Sequence, residues 1–180
     1  MDGTSHSLEA LTALLDLEEF EVVESSEDRK AKRRDLILVP TAQLGVCPHC
    51  KRACQDRHAC HDRQVLDLPL GAYATHLTIR QFQFHCRSCN RFFTPSLASL
   101  AEGAHATERL LKNLAELIKH ANIDSAAAYF GIAAKTAEKW YYDYVQRLER
   151  LERPQQLQPM RTLGIDELSL KKDTSSTASC

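Results

Sequence analysis

The spacing of apolar residues changes several times along the chain, and each change predicts an element. Leu8, Leu11, Leu14 and Leu15 recur at three- and four-residue intervals, which predicts a short N-terminal helix. Phe20-Glu21-Val22-Val23 and Leu36-Ile37-Leu38-Val39, the latter closed by Pro40, read as two strands of a hairpin. The charged turn between them, Asp28-Arg29-Lys30-Ala31-Lys32-Arg33-Arg34, reads as a solvated hairpin tip, with phosphate contact as the alternative. From Thr75 to Phe84 polar and apolar residues alternate for most of the stretch, the period of a strand. Leu110, Leu111, Leu114, Leu117 and Ile118 restore helical spacing within a helical segment expected over about 105–153, with Pro154 as its stop. Gln155-Gln156-Leu157-Gln158-Pro159 then reads as a linker, and Thr162-Leu163-Gly164-Ile165 as a last strand. The Ser/Thr-rich end is expected to be disordered.

Two cysteine pairs interrupt the β-rich middle: Cys47-Pro48-His49-Cys50 and Cys86-Arg87-Ser88-Cys89. A Cys-x-x-Cys turn aims two thiolates at one ion, and two such turns complete the tetrahedron that Zn²⁺ prefers. Pairs at the tips of two hairpins predict a zinc ribbon with structural Zn²⁺ on Cys47, Cys50, Cys86 and Cys89. Phe82, Phe84, Phe92 and Phe93 flank the second pair and are candidates to pack beneath it. Lys51, Arg52, Arg87 and Arg91 would offset the formal charge of about −2 that four thiolates leave around the ion. A thioredoxin-like pair needs one such motif in a βαβ setting, and a zinc deaminase needs Pro before its Cys pair and an upstream His-x-Glu; neither fits. Cys54, His58, Cys60 and His61 lie too close to Cys50 for a two-Cys, two-His finger. They read as spare loop residues rather than a second metal site.

Within the helical segment, Ile123 to Trp140 has the form of a helix-turn-helix. A small-residue helix from Ser125 to Phe130, with Asp124 as its expected N-cap, leads to Gly131, which permits a left-handed turn. Ile132 would anchor the turn, and a second helix restarts near Ala134. Ala137 and Trp140 would face inward. Lys135, Thr136 and Lys139 would lie at the exposed start of the second helix, where a recognition helix meets base edges and phosphates. An ordinary helical hairpin that binds nothing is the competing reading. Ala137, Tyr141, Tyr144, Leu148 and Leu151 continue as a coiled-coil-like seam. It would either pair two copies of the chain or, in the preferred reading, pack on the helix over 106–120.

Composition bounds these readings. The 180 residues are 43% hydrophobic and 26% charged, as expected for a folded, soluble chain. No run approaches the roughly 20 apolar residues of a membrane span, and the first residues lack a secretory pattern. The cytoplasm is thus the expected compartment, where seven cysteines read as metal ligands or free thiols. A net charge of −1 hides an asymmetry: residues 1–28 hold nine acids and no Lys or Arg, whereas 47–91 hold seven bases against three acids. That is compatible with nucleic-acid binding. The expected architecture is α+β. It comprises a helix and hairpin over 1–43, a β-rich zinc ribbon over 44–100, a helix-turn-helix domain over 105–153, and a linker, single strand and tail over 154–180.

The order of parts adds one more reading. Cys47-Pro48-x-Cys50, Leu66-Asp67-Leu68-Pro69-Leu70-Gly71, Phe84-x-Cys86-x-x-Cys89-x-x-Phe92, the helix-turn-helix and Leu163-Gly164-Ile165-Asp166-Glu167-Leu168-Ser169-Leu170-Lys171-Lys172 occur in this sequence. Together they resemble the N-terminal part of bacterial insertion-sequence transposases of the ISL-three family. The resemblance implies a zinc-binding domain and a helix-turn-helix ahead of a ribonuclease-H-like Asp-Asp-Glu catalytic domain, with Asp166 as its first acid. It implies double-stranded DNA, the terminal inverted repeats of an insertion sequence, as partner, and a nucleoid-associated location. The sequence ends fourteen residues after Asp166, without a second Asp or a Glu in the expected places. One acid cannot position two metal ions. The expectation is therefore a truncated, vestigial catalytic start that uses Mg²⁺ only if the domain were complete, and no strand transfer by this chain alone. The alternative is a repressor or interaction module that joins a full-length transposase or forms a homodimer.

Overall fold

The computed structural model describes residues 3–152. The linker, last strand and tail expected over 154–180, Asp166 among them, lie outside the described residues. Helix α1 (Gly3–Leu15) turns Leu8, Leu11 and Leu15 toward the sheet, while Leu14 faces solvent. Strands β1 (Phe20–Asp28) and β2 (Arg33–Pro40) form the antiparallel hairpin. Phe20 and Val22 are buried; a bulge between Val22 and Glu24 then bends β1 into an exposed arm. Arg34 and Arg29 both pair with Glu27, at 2.8 and 3.2 Å, so the basic run at the tip is partly neutralised within its own hairpin.

Strands β5 (Arg57–Leu70) and β6 (Tyr73–Cys86) meet at a two-residue turn that begins with Gly71, at φ +65°. L side chains rarely adopt that backbone conformation, and glycine does so without steric cost. Two short strands, β3 (Gly45–Val46) and β4 (Ala53–Cys54), pair with each other. β7 (Arg91–Phe93) lies antiparallel to the end of β6. β2 runs parallel to the first half of β6, from Arg33 opposite Ala74 to Leu38 opposite Ile79. The result is a mixed sheet of order β1-β2-β6-β5, with β7 beside β6. It crosses the boundary expected near residue 43, because β2 and β6 share a ladder of hydrogen bonds.

β6 changes its buried face halfway along. Thr75, Leu77 and Ile79 are buried with α1, β1 and β2, whereas Phe84 and Cys86, of the opposite parity, are buried beside β3 and β7. Because successive side chains of a strand point to opposite faces, this switch turns the two halves of β6 toward different cores on opposite faces.

The remaining chain is helical: α2 (Glu108–His120), α3 (Ile123–Phe130) and α4 (Ala134–Glu152). Their core holds Leu110, Leu111, Leu114, Phe130, Ala137 and Trp140, and burying a ring such as that of Phe130 contributes about 2 kcal/mol. Ala137 of the seam is buried, and Tyr141 and Tyr144 are half-buried. The Arg147 guanidinium meets the Glu108 carboxylate through two bonds of 2.5 Å, clamping α4 on α2. The seam thus packs largely within the chain, but its end does not: Leu148 and Leu151 are exposed.

A polar link joins helices and sheet. The Leu66 amide donates to the His105 carbonyl, and the Thr107 amide to that of Leu66. Asp67, fully buried, accepts from the Thr107 hydroxyl at 2.6 Å and from Arg109 Nε at 2.8 Å, and Arg109 Nη2 forms an ion pair with it. Arg109 also donates to the Leu15 carbonyl, closing the end of α1. No described helix is long and apolar enough to cross a membrane.

Candidate metal centre

The first cysteine turn hangs between β3 and β4, and the second between β6 and β7. In the first, the Cys47 amide donates to the Arg52 carbonyl and the Lys51 amide to that of Cys47, each at 2.9 Å. The residue after each second cysteine takes a left-handed conformation, Lys51 at φ +60° and Asn90 at φ +53°. Asparagine tolerates that region better than lysine does. The two knuckles therefore reverse the chain in the same way.

They bring the four sulfurs together. Cys47 Sγ lies 3.7 Å from Cys89 Sγ, Cys50 Sγ lies 3.4 Å from Cys86 Sγ, and all four are within 4.8 Å of one another. A tetrahedral ion with sulfur ligands at about 2.3 Å requires sulfur–sulfur edges of about 3.8 Å. The cage fits such an ion. Cys47 and Cys86 are buried, and Cys50 and Cys89 are half-buried.

Crowded thiols cannot share negative charge without a cation, and they split accordingly. The Cys89 backbone amide, with help from Cys50 and Cys89 thiols, draws the Cys86 thiol down to about 6 against the cost of burial. Burial and the neighbouring thiols push Cys89 up to about 12. A divalent metal would remove the conflict by holding all four as thiolates.

Beneath the cage, Phe84 and Phe93 stack with centroids 5.9 Å apart. Phe82 is half-buried at its edge, with the Arg57 guanidinium over the ring. Phe92 departs from the expected packing: it is exposed, on the face away from the sulfurs. Gly45 is required by close approach, since a Cβ there would fall 2.8 Å from the Phe84 ring. Of the expected charge partners, Arg87 pairs instead with Asp56 at 2.9 Å, and Arg52 donates to the Ser88 hydroxyl.

Cys54, His58, Cys60 and His61 sit on β4 and β5, not in a loop. Among the described residues they form no metal-ligand group, and the Cys47–Cys50–Cys86–Cys89 set is the only one of three or more such side chains. Cys54 is buried against the cage, with its thiol pushed up to about 11 by burial and by Cys86. His49 and His85 stay outside the ligand set, and His85 Nε2 bonds Asn90 Oδ1 at 2.9 Å.

The second group of candidate residues lies on α3 and α4. Asn122, rather than Asp124, caps α3: its side chain accepts from the Ser125 amide at 2.8 Å, because the helix begins earlier than expected, at Ile123. Gly131 ends the helix at φ +67°, and its amide reaches back to the carbonyls of Ala127 and Ala128. Ala126, Ala127, Phe130, Ala137 and Trp140 are buried, and Ile132 is half-buried. Lys135 and Lys139 are exposed and Thr136 half-exposed at the start of α4. Lys139 also pairs with Asp143 at 2.6 Å.

Sequence reasoning missed the buried Asp67–Thr107–Arg109 link. A carboxylate among Leu66, Leu68 and Leu70 was the available signal, but its partners lie 40 or more positions away. It also missed Glu19, which accepts from the Ala98 and Ser99 amides and fastens the 94–100 loop to the N-terminal hairpin. Neither a family model, nor a curated protein, nor a solved structure matches the chain.

Proposed function

We propose that this protein binds double-stranded DNA through a helix-turn-helix made of α3 and α4, on a body stabilised by one structural zinc ion in a zinc ribbon. The observation that carries the reading is the left-handed turn at Gly131. It buries Ala137 and Trp140 on one side of α4 and leaves Lys135, Thr136 and Lys139 together on the other, at the helix start. Such a surface offers side chains to a major groove and charge to phosphates. Zinc is favoured over other ions because four thiolates in a tetrahedron are its characteristic structural donor set. The role that follows is recognition of the terminal repeats of an insertion sequence, as the recognition part of a transposase; it rests on the order of motifs in the sequence. Among the described residues no carboxylate group gathers to hold catalytic metal ions, and Asp166 lies beyond them.

The test is duplex selection from random sequence with the full, zinc-loaded chain, followed by titration of the selected site. Lys135→Ala should weaken binding and lower the slope of log affinity against log salt by about 1. Equal affinities for both proteins at several salt concentrations would overturn the assignment of α4. A second reading, association with another copy or with a full-length transposase, is favoured by the exposed Leu148 and Leu151 at the end of α4. Sedimentation of the purified chain at rising concentration tests self-association.

A further inference from the structure

On the face of the knuckle hairpins turned away from the sulfurs, three rings lie in a file. Phe92 and His85 are paired across β7 and β6, with ring centroids 4.7 Å apart and planes within 23°. His58 projects at the β5 bulge between Arg57 and Ala59 and meets Phe92 at 4.4 Å. Phe92 is 52% exposed and belongs to none of the three buried clusters, although Phe93 beside it is core. A lone exposed phenylalanine is ordinary on a protein surface. A bulge that delivers a histidine onto one side of the ring system, and a ladder position that delivers another, build a continuous aromatic surface instead.

Arginines flank the rings on the knuckle turns. Arg87 follows His85 by two residues, and Arg52 reaches the Ser88 hydroxyl beside it, whereas Arg57 and Arg91 pair in register with Phe84 and Cys86 and so lie on the sulfur side. Asp56 is paired with Arg87, whose side chain is 82% exposed. Beside the rings opens a polar recess of about 450 Å³ bordered by Gln55, Asp56, His85 and Arg87.

Flat rings with exposed faces accept nucleobases, which in duplex DNA are hidden in the stack; surrounding cations accept the phosphates between them. We propose that this surface binds single-stranded DNA, with unpaired bases stacking on the His58–Phe92–His85 file and the backbone held by Arg87 and Arg52. It is a second site, separate from the start of α4, and it suits a protein that meets DNA with unpaired or frayed ends.

The experiment uses fluorescence anisotropy with the full, zinc-loaded chain and a labelled oligo-dT strand of about 20 nucleotides. Phe92→Ala should weaken this binding by about 5- to 100-fold, the range for loss of one stacking ring, with zinc content and melting temperature unchanged. His58→Ala, on an exposed bulge, should weaken it in the same direction and keeps the test open if the first variant folds poorly. Lys135→Ala should leave oligo-dT binding unchanged. Single-strand affinity equal in wild type and both ring variants would overturn the proposal, as would no binding of oligo-dT at low salt. Tighter binding of oligo-rU of equal length would overturn the assignment to DNA. Absence of duplex binding by the wild-type chain, with Phe92-dependent oligo-dT binding intact, would refute the role of α4 and leave this site standing.

Discussion

Cys86 concentrates what single residues do here. Its sulfur ends β6, is buried, and lies 3.4 Å from that of Cys50; its thiol is the one drawn down to about 6. The thiolate is the ligand form, and the Cys47 thiol is drawn down as well, by the Cys50 backbone amide. Cys86→Ser should abolish stoichiometric zinc in protein purified under reducing conditions and lower the melting temperature. Removing zinc from the wild type with a chelator should produce a comparable drop, as expected when metal binding is coupled to folding. A variant with full zinc content and unchanged melting would remove the four-cysteine centre from consideration. Cys54 marks the limit of counting cysteines: it is buried against the cage, yet its sulfur is outside the four-ligand group.

At the scale of elements, β6 and the α3–α4 turn carry the organisation. β6 presents Leu77 and Ile79 to one core and Phe84 and Cys86 to another, and the change of parity is written in the sequence, where Arg80-Gln81 breaks the alternation. The turn depends on Gly131. A Cβ there would meet nothing within 4 Å, so the cost of substitution is backbone conformation alone. Gly131→Ala should destabilise the protein by about 1 kcal/mol, and Gly131→Asn by less, because asparagine tolerates the left-handed region. Urea unfolding followed by helical circular dichroism measures both. A loss under 0.3 kcal/mol for alanine, on the order of the experimental noise, would mean the turn relaxes to another conformation.

For the whole molecule, the decisive contact is the buried Asp67 carboxylate with Thr107 and Arg109. It ties the β5 strand to the cap of α2 and, through Arg109 and the Leu15 carbonyl, to the end of α1. Removing one partner of a buried ion pair leaves the other without compensation, at a cost of about 3 kcal/mol. Asp67→Ala should therefore destabilise the protein by about that much and speed hydrogen exchange in α2. Zinc content should be retained, because the sulfur cage belongs to a separate core. Loss of zinc together with α2 protection would show that the two cores unfold as one.

Local chemistry is what the sequence determined by itself. The Cys-x-x-Cys spacing implied the four-sulfur cage, residue period implied α1, the hairpin, β6 and the helices, and Gly131 implied the turn, because each is a property of residues near one another in the chain. Tertiary structure decided the rest. The parallel pairing of β2 with β6 joins residues about 41 positions apart, and no local period encodes it. The same holds for the buried Asp67 link. Phe92 and Phe93 are neighbours of identical type, yet one lies in the core and the other on the surface, because β7 docks in a register that only the folded sheet sets.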